Sequence, residues 1–505
     1  MNLTNDPWIP VVYQNGKHRL VSLRQIFSEG ENICDIEVRP QDRISLMRLF
    51  VCVAQGAVKN WPEDTKEHHN INIYEYCEMA IQYLDKRTHL FNLFDPEKPF
   101  LQVSDLENFS KKDRCTSLSK LDLCLATGNN PTVFDNLALD PKRYFSPPAI
   151  ALNLLTFQCM SPSGLSSQVK WKGENTSNST QSSPLLKVWH VYIQRENILK
   201  TIYSNCIPKK VVSEYKNKKK FKWGVPVWDK FPTSMQDIEA WENAQNTYLG
   251  RLVFITSLIK IDQKNNRMIW GKPFSKKRGL PINNRFIEPS ISCVERDKKK
   301  IPLRINLAQG SWRDLPSILQ CESLIESTQT VSIEMDKRIG KCFVWAGGLK
   351  NGDLGKSAKI EGSIESLVYL PEEIFDPNGR NIYREGVEQA DKICRCLKRA
   401  IKEYLTILYS NKEEDDLPKK LLSEIEKRSQ NIVFLFYEKA QAQLDLLLDL
   451  VKSFNKETSK ITPWSNHLNE IHRNLFFITC KPKSCRQHKA YQAGYKFLYR
   501  EKKNG

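Results

Sequence analysis

The segment Gly-Gly-Leu-Lys-Asn-Gly-Asp-Leu-Gly-Lys-Ser, residues 347–357, ends in the Gly-Lys-Ser of a phosphate-cradling loop. Such a loop needs a further glycine, separated by four residues from the Gly-Lys pair, so that successive backbone N–H groups curl around the phosphates. Lys350 holds that position, so the nucleotide-binding match fails. A glycine- and lysine-rich turn can still approach a nucleic-acid backbone or groove closely, because it lacks bulk. A solvated turn is the other reading. In residues 63–70, Glu63, Asp64, Glu67, His68 and His69 bring carboxylates and two imidazoles together. Adjacent histidines on a helix or strand do not point at one ion, so this stretch reads as a solvated, charged connector. Cys480, Cys485 and His488 offer three zinc ligands with no fourth nearby. Cys394 and Cys396 read as buried helix thiols, and the acidic run 413–416 as a solvated loop or helix start. The sequence contains no nucleophile elbow and no paired-carboxylate site, which leaves little support for catalysis.

The elements that would carry these groups differ along the chain. Residues 8–23 alternate apolar and polar around Asn15-Gly16 and predict a β-hairpin. Residues 42–58 and 73–87 have helical spacing. From about 88 to 380 the chain is irregular and rich in Pro and Gly, with short strand-like runs at 251–261, 291–307 and 343–349. Between the apolar run 149–157 and the strand-like 184–193 lies a polar stretch of Ser, Thr, Asn, Gln, Gly and Lys that reads as a flexible arm. From residue 381, Val387, Ala390, Cys394, Leu397, Ile401, Leu405 and Leu408 share one helical face, and three further helical segments follow. The expected fold class is α+β: a large, irregular mixed domain over 1–380, then an antiparallel four-helix bundle over 381–505.

Lys and Arg number 76 against 58 Asp and Glu, a net charge of +18 that favours a polyanionic partner such as nucleic acid or an acidic membrane face. The excess is clustered at 209–222, at 296–300 and at 481–503, with Tyr215, Phe221, Trp223, Tyr491, Tyr495, Phe497 and Tyr499 interleaved. A surface that tracks a backbone and stacks bases has this composition, and so does an amphipathic helix that buries its aromatics. Residues 381–505 carry 24 basic and 16 acidic side chains, which makes the helical region a second basic surface. The N-terminus lacks a signal peptide's basic start and apolar core, and no window approaches 18 apolar residues, so a cytoplasmic location without membrane insertion is expected. The 14 cysteines are scattered singly, which suits reduced and mostly buried thiols.

Residues 1–11, 91–103, 126–136 and 310–315, followed by Trp-Ala-Gly-Gly-Leu-Lys-Asn-Gly-Asp at 345–353, together resemble the CasA family. CasA proteins are the large subunits of type I-E CRISPR Cascade surveillance complexes. The likeness runs in order over nearly the full length. It implies a non-catalytic subunit, without cofactor, of an assembly in which guide crRNA pairs with the target while this subunit reads the PAM in double-stranded DNA. The implied partners are the crRNA, the target DNA, the small, backbone and 5′-end Cascade subunits, and a helicase-nuclease effector.

In the family a glycine-containing loop and a lysine enter the minor groove, where readout is degenerate, and a wedge splits the first base pairs. The resemblance puts the groove loop at Ser163, Gly164, Leu165 and Ser166, where only Gly164 remains of a more glycine-rich run, and the lysine at Lys276 or Lys277. It puts the wedge at Lys350, Asn351, Gly352 and Asp353, with Asp353 or a gap at the family's glutamine. The loop that reaches the guide RNA and neighbouring subunits falls at Asn129, Asn130, Phe134 and Asn136. Lys170 and Lys172 of the polar arm are the expected phosphate contacts. Some members bind zinc through two CxxC pairs; this chain has neither, so no metal is expected. The alternatives are a nucleic-acid hydrolase using the Gly/Lys loop 347–357 and a general RNA-binding scaffold.

Overall fold

The computed structural model describes residues 1–108, 116–125, 144–162, 164–165, 168–177, 179–180, 182–213, 222–273, 288–291, 293–296, 299–306, 310–318, 325–326, 342–351, 360–410, 417–453 and 462–498. It is a mixed helix-and-sheet protein with several small sheets, and its chain contacts divide into two units. The first holds residues 1–305, 326–337 and 343–367; the second holds 306–325, 338–342 and 368–505.

In the first unit, Ile9–Tyr13 and His18–Val21 form the expected hairpin, with Ile9 opposite Val21 and Val12 opposite His18. Gly16 has φ +77° in its turn, and the Asn15 side chain accepts a hydrogen bond from the Lys17 N–H. Ile33–Ile36 adds a third strand. Helix Pro40–Gly56 begins with proline in its first turn and is buried on every side, so its polar residues must find partners inside the protein. Arg48 donates to the carbonyls of Arg251 and Leu252, and Gln55 to that of Ile207. The apolar helix Pro147–Met160, capped by Ser146, packs against it. Around them lie the sheets that matter below: Leu258–Asp262 with Arg267–Gly271 and Thr116–Ser117, and His190–Gln194 with Cys342–Asn351 and Ile360–Leu370.

The charged connector at 63–70 is not wholly solvated. His68 is buried, 5.9 Å from Trp61, because the short helix Thr65–His69 turns that ring inward.

In the second unit, Asp376 caps the 33-residue helix Pro377–Tyr409 by accepting from the Asn378 N–H. Its buried face includes Val387, Ala390, Cys394, Leu397, Ile401 and Leu405; Leu408 and Cys396 are half-buried. Helices Lys419–Gln441, Asp445–Lys452, Thr462–Thr479 and Cys485–Leu498 pack on it, so among the described residues four helices follow the long one where the sequence suggested three. The short helix Ser311–Ile318 brings Trp312 edge-on to Trp464 at 5.9 Å and Arg313 onto Asp391 at 2.7 and 2.8 Å. The change of sequence character at 381 falls inside the first turns of the long helix. Among the described residues no helix is long and apolar enough to cross a membrane.

Candidate nucleic-acid interface

The polar stretch after helix Pro147–Met160 is structured where it is described. Val169–Trp171 pairs with both Leu106–Asn108 and Glu174–Asn175. Trp171 faces Glu174 across a two-residue turn in which Lys172 (φ +50°) and Gly173 (φ +81°) are both left-handed, the backbone that matches strand twist. Trp171 is buried and its Nε1–H donates to Asp105 at 2.8 Å; the Val169 N–H donates to Thr176 Oγ1 at 3.0 Å. The reading of a flexible arm is therefore corrected for residues 168–177: two apolar side chains and a turn suffice to dock the strand on a neighbour. Lys170 is half-buried opposite Glu107, while Lys172 is exposed at the tip of the turn.

Gly164–Leu165 pairs antiparallel with Ser179–Thr180, so the groove-loop candidate sits on a two-stranded ladder. Ser163 and Ser166 lie outside the described residues. Lys272 fastens the root of this ladder. Its Nζ donates to Ser161 Oγ at 2.6 Å and Ser257 Oγ at 3.0 Å, and its carbonyl accepts from the Ser177 N–H at 3.1 Å.

Lys272 is also two residues from segment 274–287, which holds Lys276 and Lys277 and lies outside the described residues. Glu288 follows that segment in the sequence, and its carboxylate accepts from Arg48 at 2.8 Å and from Arg251 at 2.7 and 3.0 Å. Burial alone would raise the Glu288 carboxyl, but the two guanidinium groups outweigh it and hold the carboxyl below its ordinary value.

The Gly/Lys segment is partly strand. Cys342–Asn351 runs antiparallel to His190–Gln194, with Gly347 opposite His190. A Cβ on Gly348 would meet the Val188 carbonyl oxygen at 2.6 Å, and one on Gly347 the Ile364 carbonyl oxygen at 2.9 Å. These glycines serve close strand packing, which corrects the loop reading for 347–351 and removes those residues from any phosphate cradle. Lys350 pairs with Glu361 at 3.2 Å, and Asn351 is 1% exposed. Gly352 and Asp353 lie outside the described residues, as do Asn129, Asn130, Phe134 and Asn136. The guide-loop segment 126–143 is flanked by a clamp: Arg39 donates to Asp122 before it at 2.8 Å and to Asn153 after it at 3.1 Å.

The model of the family CRISPR-associated protein Cse1 matches residues 2–475. The chain belongs to the Cse1 family. It is 22% identical, over 446 residues, to the CRISPR-associated protein CasA/Cse1 of Thermus thermophilus, covering 85% of this chain and 83% of that one. A crystal structure of the Thermus thermophilus CasA shares the fold with a TM-score of 0.75 at 17% identity, over 99% of this chain and 98% of that one. A chain of a CRISPR RNA-guided surveillance complex does so with a TM-score of 0.73 at 13% identity, over 99% of both.

Sequence reasoning missed the residues that hold the described parts of these segments in place. Lys272 stands in Trp-Gly-Lys-Pro-Phe, an apolar setting that is the only local sign of a buried cation. Glu288 and Arg251 read as ordinary surface charges until the fold brings them together.

Proposed function

We propose that this chain is the non-catalytic large subunit of a cytoplasmic type I-E CRISPR RNA-guided surveillance complex. In this reading it recognises the PAM in target double-stranded DNA through the minor groove, starts unwinding and R-loop formation, and recruits the helicase-nuclease of antiviral defence. The observation that carries the proposal is the Cse1-family match over residues 2–475, joined to a fold shared end to end with a chain of a surveillance complex. The net charge of +18 supports a polyanionic partner.

Ser163, Gly164, Leu165 and Ser166 form the groove-reading tip, because a glycine there lets backbone approach base edges that a side chain would block. Lys276 or Lys277 enters beside them, four or five residues past the serine-bonded Lys272. The strand that ends at buried Asn351 leads into the wedge at Gly352 and Asp353, with half-buried Lys350 just before it. Asn129, Asn130, Phe134 and Asn136 meet the guide crRNA and neighbouring subunits, and exposed Lys172 joins Lys170 near phosphates. The helices Pro377–Tyr409, Lys419–Gln441, Thr462–Thr479 and Cys485–Leu498 act as an antiparallel four-helix bundle that steadies DNA.

The test is duplex binding by the complex assembled with guide RNA. Gly164→Leu, and separately Lys276→Ala with Lys277→Ala, are expected to weaken PAM-dependent binding about tenfold, the effect of about 1–3 kcal/mol of lost contact, with crRNA assembly intact. Unchanged PAM-dependent binding in both variants rules the assignment out.

A further inference from the structure

Two lysines meet on one tryptophan with no carboxylate between them among the described residues. Lys272 follows the strand Arg267–Gly271 and is 1% exposed; Lys120, half-buried, comes from the short turn Leu118–Leu121. Their ammonium nitrogens lie 5.5 and 5.0 Å from the centroid of the Trp270 ring. Phe157 packs edge-on against the same ring at 6.0 Å.

Burying cations without anions is costly. Desolvation of an ammonium takes several kcal/mol, and a cation–π contact returns about 0.5–2 kcal/mol. The only side-chain acceptors of Lys272 among the described residues are the neutral hydroxyls of Ser161 and Ser257, and Lys120 donates to no acceptor among them. Burial, reinforced by the nearby Lys120, pushes the Lys272 ammonium down to about 7, and burial lowers that of Lys120. The Trp270 Nε1–H, a donor only, is buried with no acceptor among the described residues. Two ammonium groups thus stand against one ring whose own N–H is unpaired, and among the described residues only neutral hydroxyls, and no anion, answer them. A buried polar group without a partner costs about 1–3 kcal/mol, so an anion accepting from the Trp270 N–H would relieve that cost and offset the charge of both lysines.

We propose that Lys120, Lys272 and Trp270 form a phosphate-binding site at the root of the 161–180 segment. A tetrahedral oxyanion accepts hydrogen bonds from several directions, which suits two ammonium groups and an indole N–H carried by different chain segments. The phosphate comes either from a nucleic-acid backbone or from free inorganic phosphate. The backbone source rests on the function proposed above: Ser161, bonded to Lys272, stands two residues before Ser163, and Lys272 four residues before Lys276.

Two arms test this. The full-length chain is titrated with inorganic phosphate against chloride at matched ionic strength, following thermal unfolding and phosphorus NMR line width. Wild type is expected to bind saturably. Lys120→Gln and Trp270→Phe, which keeps the ring and removes the N–H, are each expected to bind about tenfold more weakly. Lys272→Met is expected to fold, to be more heat-stable without phosphate, and to lose the phosphate response. A non-saturable wild-type response, or equal responses in all four proteins, overturns the site. The second arm measures the salt dependence of duplex binding by the complex assembled with guide RNA. A logarithmic slope reduced by about one in Lys120→Gln assigns the site to a backbone phosphate. An unchanged slope beside a positive first arm assigns it to free phosphate. A reduced slope in a complex that shows no PAM preference supports the site and refutes the PAM reading instead.

Discussion

Replacing Glu288 with glutamine removes the anion that holds Arg48 and Arg251 together. The three side chains are 2%, 2% and 0% exposed, in the order Glu288, Arg48, Arg251. At the N–O separations of 2.8 and 2.7 Å, and an effective dielectric of about 20, each attraction is worth about 6 kcal/mol. Desolvation of three ions, several kcal/mol apiece, and repulsion between the guanidinium groups offset most of that gain. Removing the carboxylate forfeits the attraction while both cations stay buried, and the expected loss is about 3–5 kcal/mol. Domains of about 150–250 residues move by about 2–4 °C per kcal/mol; for this larger unit about 1–2 °C applies, giving a Tm lower by about 3–10 °C. The assay is tryptophan-monitored thermal and urea unfolding of wild type and Glu288→Gln across pH. The native carboxyl titrates below its ordinary value, so its stabilisation is complete above about pH 4.3 and fades as pH falls through the native value. The gap between the two proteins should therefore be full at pH 7 and close under strong acid. A loss below 1 kcal/mol at pH 7, or a gap that widens on acidification, would refute the reasoning.

Two further outcomes are expected. His190 is fully buried, with one ring nitrogen 2.9 Å from Ser290 Oγ and the other 3.0 Å from the Leu185 carbonyl; burial pushes its imidazole down to about 4. The unfolded chain takes up this proton near pH 6.5 and the native chain only near 4, so stability should fall between those values by about 3 kcal/mol, and His190→Asn should flatten that part of a pH–stability profile. In the helical unit, a Cβ on Gly494 would stand 2.6 Å from the Ala400 carbonyl oxygen, so Gly494→Ala must push two helices apart and should cost about 1–3 kcal/mol in urea unfolding.

Local pattern determined much of this protein by itself. The Asn15-Gly16 hairpin and the apolar face of Pro377–Tyr409 follow from periods of two and of about 3.6 residues, which are properties of the chain within a few positions. The ordered motifs along the chain likewise carried the family, because they need no knowledge of which segments touch. The tertiary structure alone decided which charges share a site. Lys120 and Lys272 are 152 positions apart, and Arg48 and Glu288 are 240, separations over which no period operates. It also decided that residues 168–177 form a docked strand and turn. Val169 and Trp171 are too few to signal a strand in a polar stretch, and Lys172-Gly173 is a weak turn signal beside Asn-Gly. What stabilises that strand is the face offered by Leu106–Asn108 and the carboxylate of Asp105, more than sixty residues earlier in the chain.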